Sequence, residues 1–142
     1  MKRDMDLVRE LLLRVEAMDI PAGSALFLHA REQPLARPGD DAEAITYHMR
    51  LLMNAGLLDP TRTQGADSFG IFGMTWAGHD FLDSVRDPEI WRRTKDGAEK
   101  AGGFTVDILV ELAKGLVKTQ IEKYTGVKLG LFASQLVLRP AP

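Results

Sequence analysis

Apolar residues recur at Ile45, Met49 and Leu52, with Ala55 three further on, and then Gly56 interrupts the pattern. Steps of four and three residues place these side chains on one stripe of a helix, which needs a core to cover it. Asp40 or Asp41 is the predicted N-cap, and Glu43 lies in the first turn, where the helix dipole favours negative charge. Asn54-Ala55-Gly56 is the predicted stop, because glycine readily takes the left-handed conformation past a helix end. Leu57-Leu58-Asp59 then begins a strand, residues 60–68 are polar, and Phe69 to Met74 form a second apolar strand. Two strands joined by a polar loop predict a hairpin. Thr75 is placed to cap a further helix, WAGHDFLDSVR, with apolar positions at Trp76, Phe81, Leu82 and Val85. Residues 40–86 are therefore expected to fold as helix, hairpin and helix around their own core.

The flanks read as more helix. Val8, Leu11, Leu12 and Val15 form one stripe in RDMDLVRELLLRVEA, with Asp4 and Asp6 in the first turn and a break at Ile20-Pro21-Ala22-Gly23. ALFLHA, residues 25–30, is a short strand candidate, and Gln33 to Gly39 reads as loop. Asp87-Pro88 closes one helix and opens the next, EIWRRTKDGAEKA, which Gly102-Gly103 ends. Residues 105–125 form a long helix with a stripe at Val106, Leu109, Val110, Ala113, Leu116, Val117, Ile121 and Tyr124, and Gly126 ends it. The tail KLGLFASQLVLRPAP is apolar without a clear period.

The 142 residues suffice for one ordinary domain, and the absence of cysteine removes disulfides, thiolate catalysis and zinc–thiolate sites together. No apolar run approaches the roughly 18 residues that a membrane-spanning helix requires. The charged opening MKRDMDLVRE is unlike a signal core, so a cytoplasmic protein without membrane attachment is expected. Net charge is −2, with −2 in residues 1–58, −2 in 59–103 and +2 in 104–142. Binding to nucleic acid draws mainly on concentrated positive charge, so this distribution argues against tight non-specific binding while leaving room for a local patch.

HMRLLMNAGLLD, then a polar hairpin, then MTWAGHDFL resembles the winged helix-turn-helix proteins. His48-Met49, Leu52, Ala55-Gly56-Leu57 and Met74-Thr75-Trp76-Ala77-Gly78 occur in the order of that pattern. Gly56 permits the turn into the wing, Leu57 or Leu58 seals the helix on the sheet, and Gly78 permits close helix packing. One departure is that no second helix is evident before Asp40, so the positioning helix is short, shifted or missing. MKRDMDLVRELLLRVE, AITYHMRLLMNAGLLD, MTWAGHDFLDSVRDPEIWRRTK and GGFTVDILVELAKGLVK also resemble a family of bacterial and prophage proteins, Domain of Unknown Function twenty-five thirteen. That resemblance implies no activity, substrate or catalytic residue. The expected class is α+β, mostly α: a winged helix-turn-helix core over residues 1–100, with a small antiparallel wing hairpin. Residues 101–142 add a C-terminal long helix and apolar tail for dimerisation or packing.

The resemblance makes a DNA-binding transcriptional regulator the leading expectation. Thr46, Tyr47, Arg50 and Asn54 on the exposed face of the helix would then contact double-stranded DNA, Arg50 pairing with guanine, and Arg62 in the wing would reach a minor groove or phosphate. Asp40, Asp41 and Glu43 crowd the end where a recognition helix usually meets phosphate, and Asp67 offsets Arg62. The alternative is a protein–protein interaction module on the same scaffold without DNA contact. Trp91-Arg92-Arg93-Thr94-Lys95 is the densest basic cluster, and Trp91 is expected to pack inward with Ile90. A metal site would need His29, His48 and His79 to converge with carboxylates such as Asp80 and Asp83; the one-turn spacing of His79 and Asp83 is explained more simply by a helix-surface hydrogen bond, and no nucleophile, phosphate loop or carboxylate pair accompanies them. No catalysis, metal or cofactor is expected. The long stripe from Val106 to Tyr124 suggests a homodimer through the C-terminal helix.

Overall fold

The computed structural model describes residues 1–100, 102, 103 and 105–126. Five helices and three strands follow in the order α1 (Met5–Glu16), β1 (Leu26–His29), α2 (Ala42–Asn54), β2 (Leu58–Pro60), β3 (Ser68–Met74), α3 (Trp76–Val85), α4 (Pro88–Lys100) and α5 (Val106–Thr125). The class is α+β and mostly helical, as expected. The chain divides into two compact units, Met1–Asp83 and Ser84 onward, so the division falls within α3.

In the first unit, each helix begins where a side chain answers its unpaired amides. Asp4 caps α1 by accepting from the amides of Asp6 and Leu7, and Asp41 caps α2 by accepting from that of Glu43. Thr75 accepts from the Gly78 amide at the start of α3. Gly56 ends α2 at φ 76°, the left-handed value its position requires. Ile45, Met49 and Leu52 are at most 1% exposed. Burying each such side chain is worth about 1.5–3 kcal/mol, enough to orient the helix. They meet Val8, Leu11, Leu12 and Val15 of α1, Leu57 and Leu58, and the inward residues of the sheet in one buried core.

The sheet is antiparallel with order β1-β3-β2. Leu26 pairs with Ile71 and Leu28 with Phe69, setting Leu28, Phe69 and Ile71 into the core and Phe27 outward over Gly70. On the other edge Asp59 pairs with Gly73 and Pro60 with Ile71, leaving Phe72 as the extra residue of a bulge. Gly73, at φ 132°, supplies its backbone, and Pro60, which has no amide to donate, lies on an edge strand. A Cβ at Gly78 would collide with the Leu57 carbonyl, so α3 approaches the α2–β2 junction only because that position is glycine.

One expectation needed correction. Trp76 does not belong to the buried stripe of α3; it is 84% exposed. The buried positions are Gly78, Phe81, Leu82 and Val85, and Trp76 lies about 200° around the helix from Gly78 at 3.6 residues per turn. Along the stripe of α5, Leu109 and Ala113 are fully buried, whereas Ile121 and Tyr124 are exposed. Between β1 and α2 there is no helix; a succession of turns occupies residues 30–35.

In the second unit α4 packs against α5. Ile90, Trp91, Thr94 and Ala98 form the buried face of α4, so Trp91 turns inward with Ile90 as predicted. Thr105 caps α5 through the Ile108 amide, and Gly126, at φ 73°, ends it. With 20 residues against 13, α5 is about 10 Å longer than α4. The apolar tail, residues 127–142, lies outside the described residues.

Candidate functional site

The polar loop between β2 and β3 is held by one side chain acting as a strand. Gln64 Nε2 donates to the carbonyls of Gly70 at 2.7 Å and Thr61 at 3.0 Å, and its Oε1 accepts from the Gly70 amide at 3.1 Å. The base of this loop is then tied to α2. Arg50 Nη2 donates to the Ala66 carbonyl at 2.7 Å and lies 3.4 Å from that of Gly65. It is also tied to the end of β1. The Ala30 amide donates to the Asp67 carbonyl at 2.9 Å, and the Asp67 carboxylate faces His29 Nε2 at 3.3 Å and Arg31 Nε at 3.7 Å. Since His29 Nδ1 accepts from the Arg31 amide, Nε2 is the nitrogen that carries a proton toward Asp67.

These ties leave a groove of about 280 Å³ between α2 and the hairpin base, lined by Thr46, Tyr47 and Arg50 together with Arg31, Glu43 and Asp67. Three of the five expected contact residues therefore converge. Thr46 and Tyr47 are half-buried, the Thr46 hydroxyl donates to the Ala42 carbonyl at 2.9 Å, and the Tyr47 ring meets His48 edge-on at 5.4 Å. Asn54 and Arg62 are exposed but do not line the groove. The lining carries two arginines and two carboxylates, so the groove is mixed in sign rather than basic.

α2 is fixed from beneath by a histidine. His48 is 1% exposed; its Nδ1 lies 2.8 Å from the Ala44 carbonyl and its Nε2 accepts from the Asp4 amide at 2.8 Å. Both bonds together require the neutral ring with its proton on Nδ1. His48 thus joins the start of α1 to the middle of α2.

The turns that stand in place of a helix before α2 hang on Arg14. Its Nη1 donates to the Leu35 carbonyl at 2.9 Å and to Asp40 Oδ2 at 2.6 Å, and its Nε donates to Glu10 Oε1 at 3.2 Å. Arg37 donates through Nη1 to the same Glu10 oxygen at 2.9 Å, and its amide donates to Asp40 at 2.8 Å. Burial favours the neutral form of Arg14, but the bonds from Asp40 and Glu10 outweigh it and raise the Arg14 pKa. The same Arg14 bond, with the Arg37 amide second, holds the Asp40 carboxyl below its ordinary value. Buried Leu35 and Ala36 complete this anchor.

Sequence reasoning missed Arg31, Gln64 and Arg14, and it placed His48 in the helix pattern without its bonds. Arg14 left one usable signal, its place three residues after Leu11 within the buried stripe of α1. Arg31 and Gln64 left none, because their partners are set by chain reversal. Among the described residues no three His, Asp or Glu side chains gather to hold a metal, and no helix is long and apolar enough to cross a membrane.

The family described as Hypothetical protein (DUF2513) matches residues 2–104. A relative from Haemophilus influenzae that bears the name "Uncharacterized protein" is 28% identical over 124 residues, spanning 85% of this chain and 99% of its own length. No solved structure matches.

Proposed function

We propose, for a chain that belongs to the Hypothetical protein (DUF2513) family, that residues 1–83 form a winged-helix module that binds duplex DNA as a non-enzymatic regulator. The observation that carries this reading is connectivity. The order α1, β1, α2, β2, β3 with sheet order β1-β3-β2 sets a hairpin beside α2, the arrangement a winged helix uses to read a groove and its flanking backbone. Arg50 supports it further by joining the α2 face to the hairpin base, so that helix and wing offer one surface. Thr46 and Tyr47 face bases in this reading, Arg50 and Asn54 meet base edges or phosphate, and Arg62 follows the backbone. Pairing of two copies through α5 belongs to the same proposal, supported by Ile121 and Tyr124, which extend its apolar stripe into exposed positions.

The test is titration of the purified chain with pooled genomic duplex DNA at low salt, followed by Arg50→Ala and Arg62→Ala. Saturable binding that weakens in both variants supports the reading, and undetectable binding of the wild type overturns it.

A second reading, a protein-interaction module on the same scaffold, is favoured by charge. Residues 1–83 carry 8 Lys and Arg against 13 Asp and Glu, a net −5. Asp40, Asp41 and Glu43 also cluster at the start of α2, where phosphate would approach. Failure of the DNA titration with recovery of a defined protein partner decides for this reading.

A further inference from the structure

A second concavity lies between the C-terminal half of α1, β1 and the turns before α2. It is an open cleft of about 390 Å³, at the small end of the roughly 300–1,000 Å³ typical of small-molecule sites. Its apolar wall includes Met18, Leu26 and Pro34, and its charged members are Arg14, Arg37 and Asp19. The two guanidinium groups are neighbours, because both donate to the same oxygen of Glu10. Arg14 has a side chain only 7% exposed and uses Nε and Nη1 for its three bonds. Every fully buried polar side-chain atom among the described residues is paired, so its Nη2, which enters none of those bonds, is not fully buried, and Arg14 lines the cleft. Arg37 likewise commits only Nη1 and keeps its remaining donors. Asp19 is exposed and has no ion pair among the described residues.

We propose that this cleft binds a small zwitterion with an apolar body, such as an apolar amino acid, its carboxylate on Arg14 and Arg37, its ammonium at Asp19 and its side chain against Met18, Leu26 and Pro34. Charge decides between ligand classes. A plain anion would meet the guanidinium groups but also the Asp19 carboxylate, with Glu10 and Asp40 already beside the arginines. A plain cation would leave the free arginine donors unanswered. A zwitterion answers both signs, and planar guanidinium groups suit a carboxylate. The site is separate from the α2–hairpin groove, so it stands whether or not that groove takes DNA.

The full chain is titrated with leucine, methionine and phenylalanine at millimolar concentration while amide resonances and melting temperature are followed. The controls are N-acetylleucine, which lacks the ammonium, and leucinamide, which lacks the carboxylate. The expected result is saturable shifts at residues 14–19 and 34–37 with a raised melting temperature. Each blocked form should bind about ten- to a hundredfold more weakly, the effect of losing a hydrogen bond to a charged group. Asp19→Asn, at an exposed position, should show the same loss with an unchanged melting temperature in the absence of ligand, and Arg37→Gln the same loss with only the small drop expected from its exposed Glu10 ion pair. No saturable response to any of the three amino acids overturns the proposal. So does equal binding of the blocked forms, or undiminished binding by both variants.

Discussion

His48 commits both ring nitrogens to backbone groups, one on each of two helices. Replacing it with Leu keeps the volume but strands the Asp4 amide in a part-buried place, while the Ala44 carbonyl keeps its helical bond to the residue 48 amide. His48→Leu should therefore cost about 1–3 kcal/mol in urea unfolding, the usual consequence of a buried group left unpaired. Asp40 makes a prediction with a definite sign. Its carboxyl is held below the ordinary value in the folded chain, so the stability it adds is fully present above the unfolded value of about 3.9 and is lost as pH falls through the folded one. Asp40→Asn should be less stable than wild type at pH 7 by ~1–2 kcal/mol, a figure discounted for partial exposure. The two stability curves should converge as pH falls below about 4, which thermal melts across pH 3–7 would measure. Parallel curves over that range would remove Asp40 from the account of acid sensitivity. Neither role was visible in the sequence. His48 occupies a position where a helical period says only that it faces inward, and Asp40 reads as a helix cap until Arg14, 26 residues earlier, is seen to bond it.

At the scale of elements, periodicity carried most of what could be read in advance. The steps among Ile45, Met49 and Leu52 identified the buried side of α2, and Gly56 its end, because both depend only on neighbours along the chain. On α3 the buried stripe centres on Gly78, Phe81 and Leu82, and the same spacing turns Trp76, apolar but out of phase, outward. Gly78 itself gives a direct test. Gly78→Ala puts a methyl against a backbone carbonyl that cannot rotate away, so about 1–3 kcal/mol of stability should be lost despite alanine's better helix propensity. A stabilised variant in chemical unfolding would mean that α3 can shift along the α2–β2 junction. The hairpin loop offers the complementary case. Gln64→Ala removes the amide that bonds both polar groups of Gly70, and the loop should exchange its amide hydrogens faster while the α1–α2 core retains its protection. Equal acceleration in both regions would show that loop and core open together. What composition and period could not disclose is that the loop's order comes from a side chain and its placement from Arg50; such contacts are fixed only once β3 has folded back.

For the whole molecule, the difficulty is to reconcile the proposed DNA-binding reading with a first unit of net charge −5. Affinity for duplex DNA scales with the phosphates neutralised, and few cations are available for it. On the α2–hairpin side these are Arg31, Arg50 and Arg62, of which Arg31 also faces Asp67 and Arg50 is partly committed to loop carbonyls. Three phosphate contacts per copy give an expected slope of about −2.7 in a plot of log affinity against log salt concentration, at −0.9 for each contact. That is shallow: binding should fall by only ~40-fold between 50 and 200 mM salt, where a protein making 6–10 contacts loses about 10³–10⁵. Arg62→Ala should reduce the slope by about one without changing preference among sequences, whereas Tyr47→Ala should alter preference while leaving the slope alone. A slope steeper than about −6 per copy would require cations that this surface does not hold and would move the contact elsewhere on the chain. On the proposed DNA-binding reading, the acidic surroundings would act as a filter: long-range repulsion would suppress binding to arbitrary duplex and leave recognition to base contacts inside one groove.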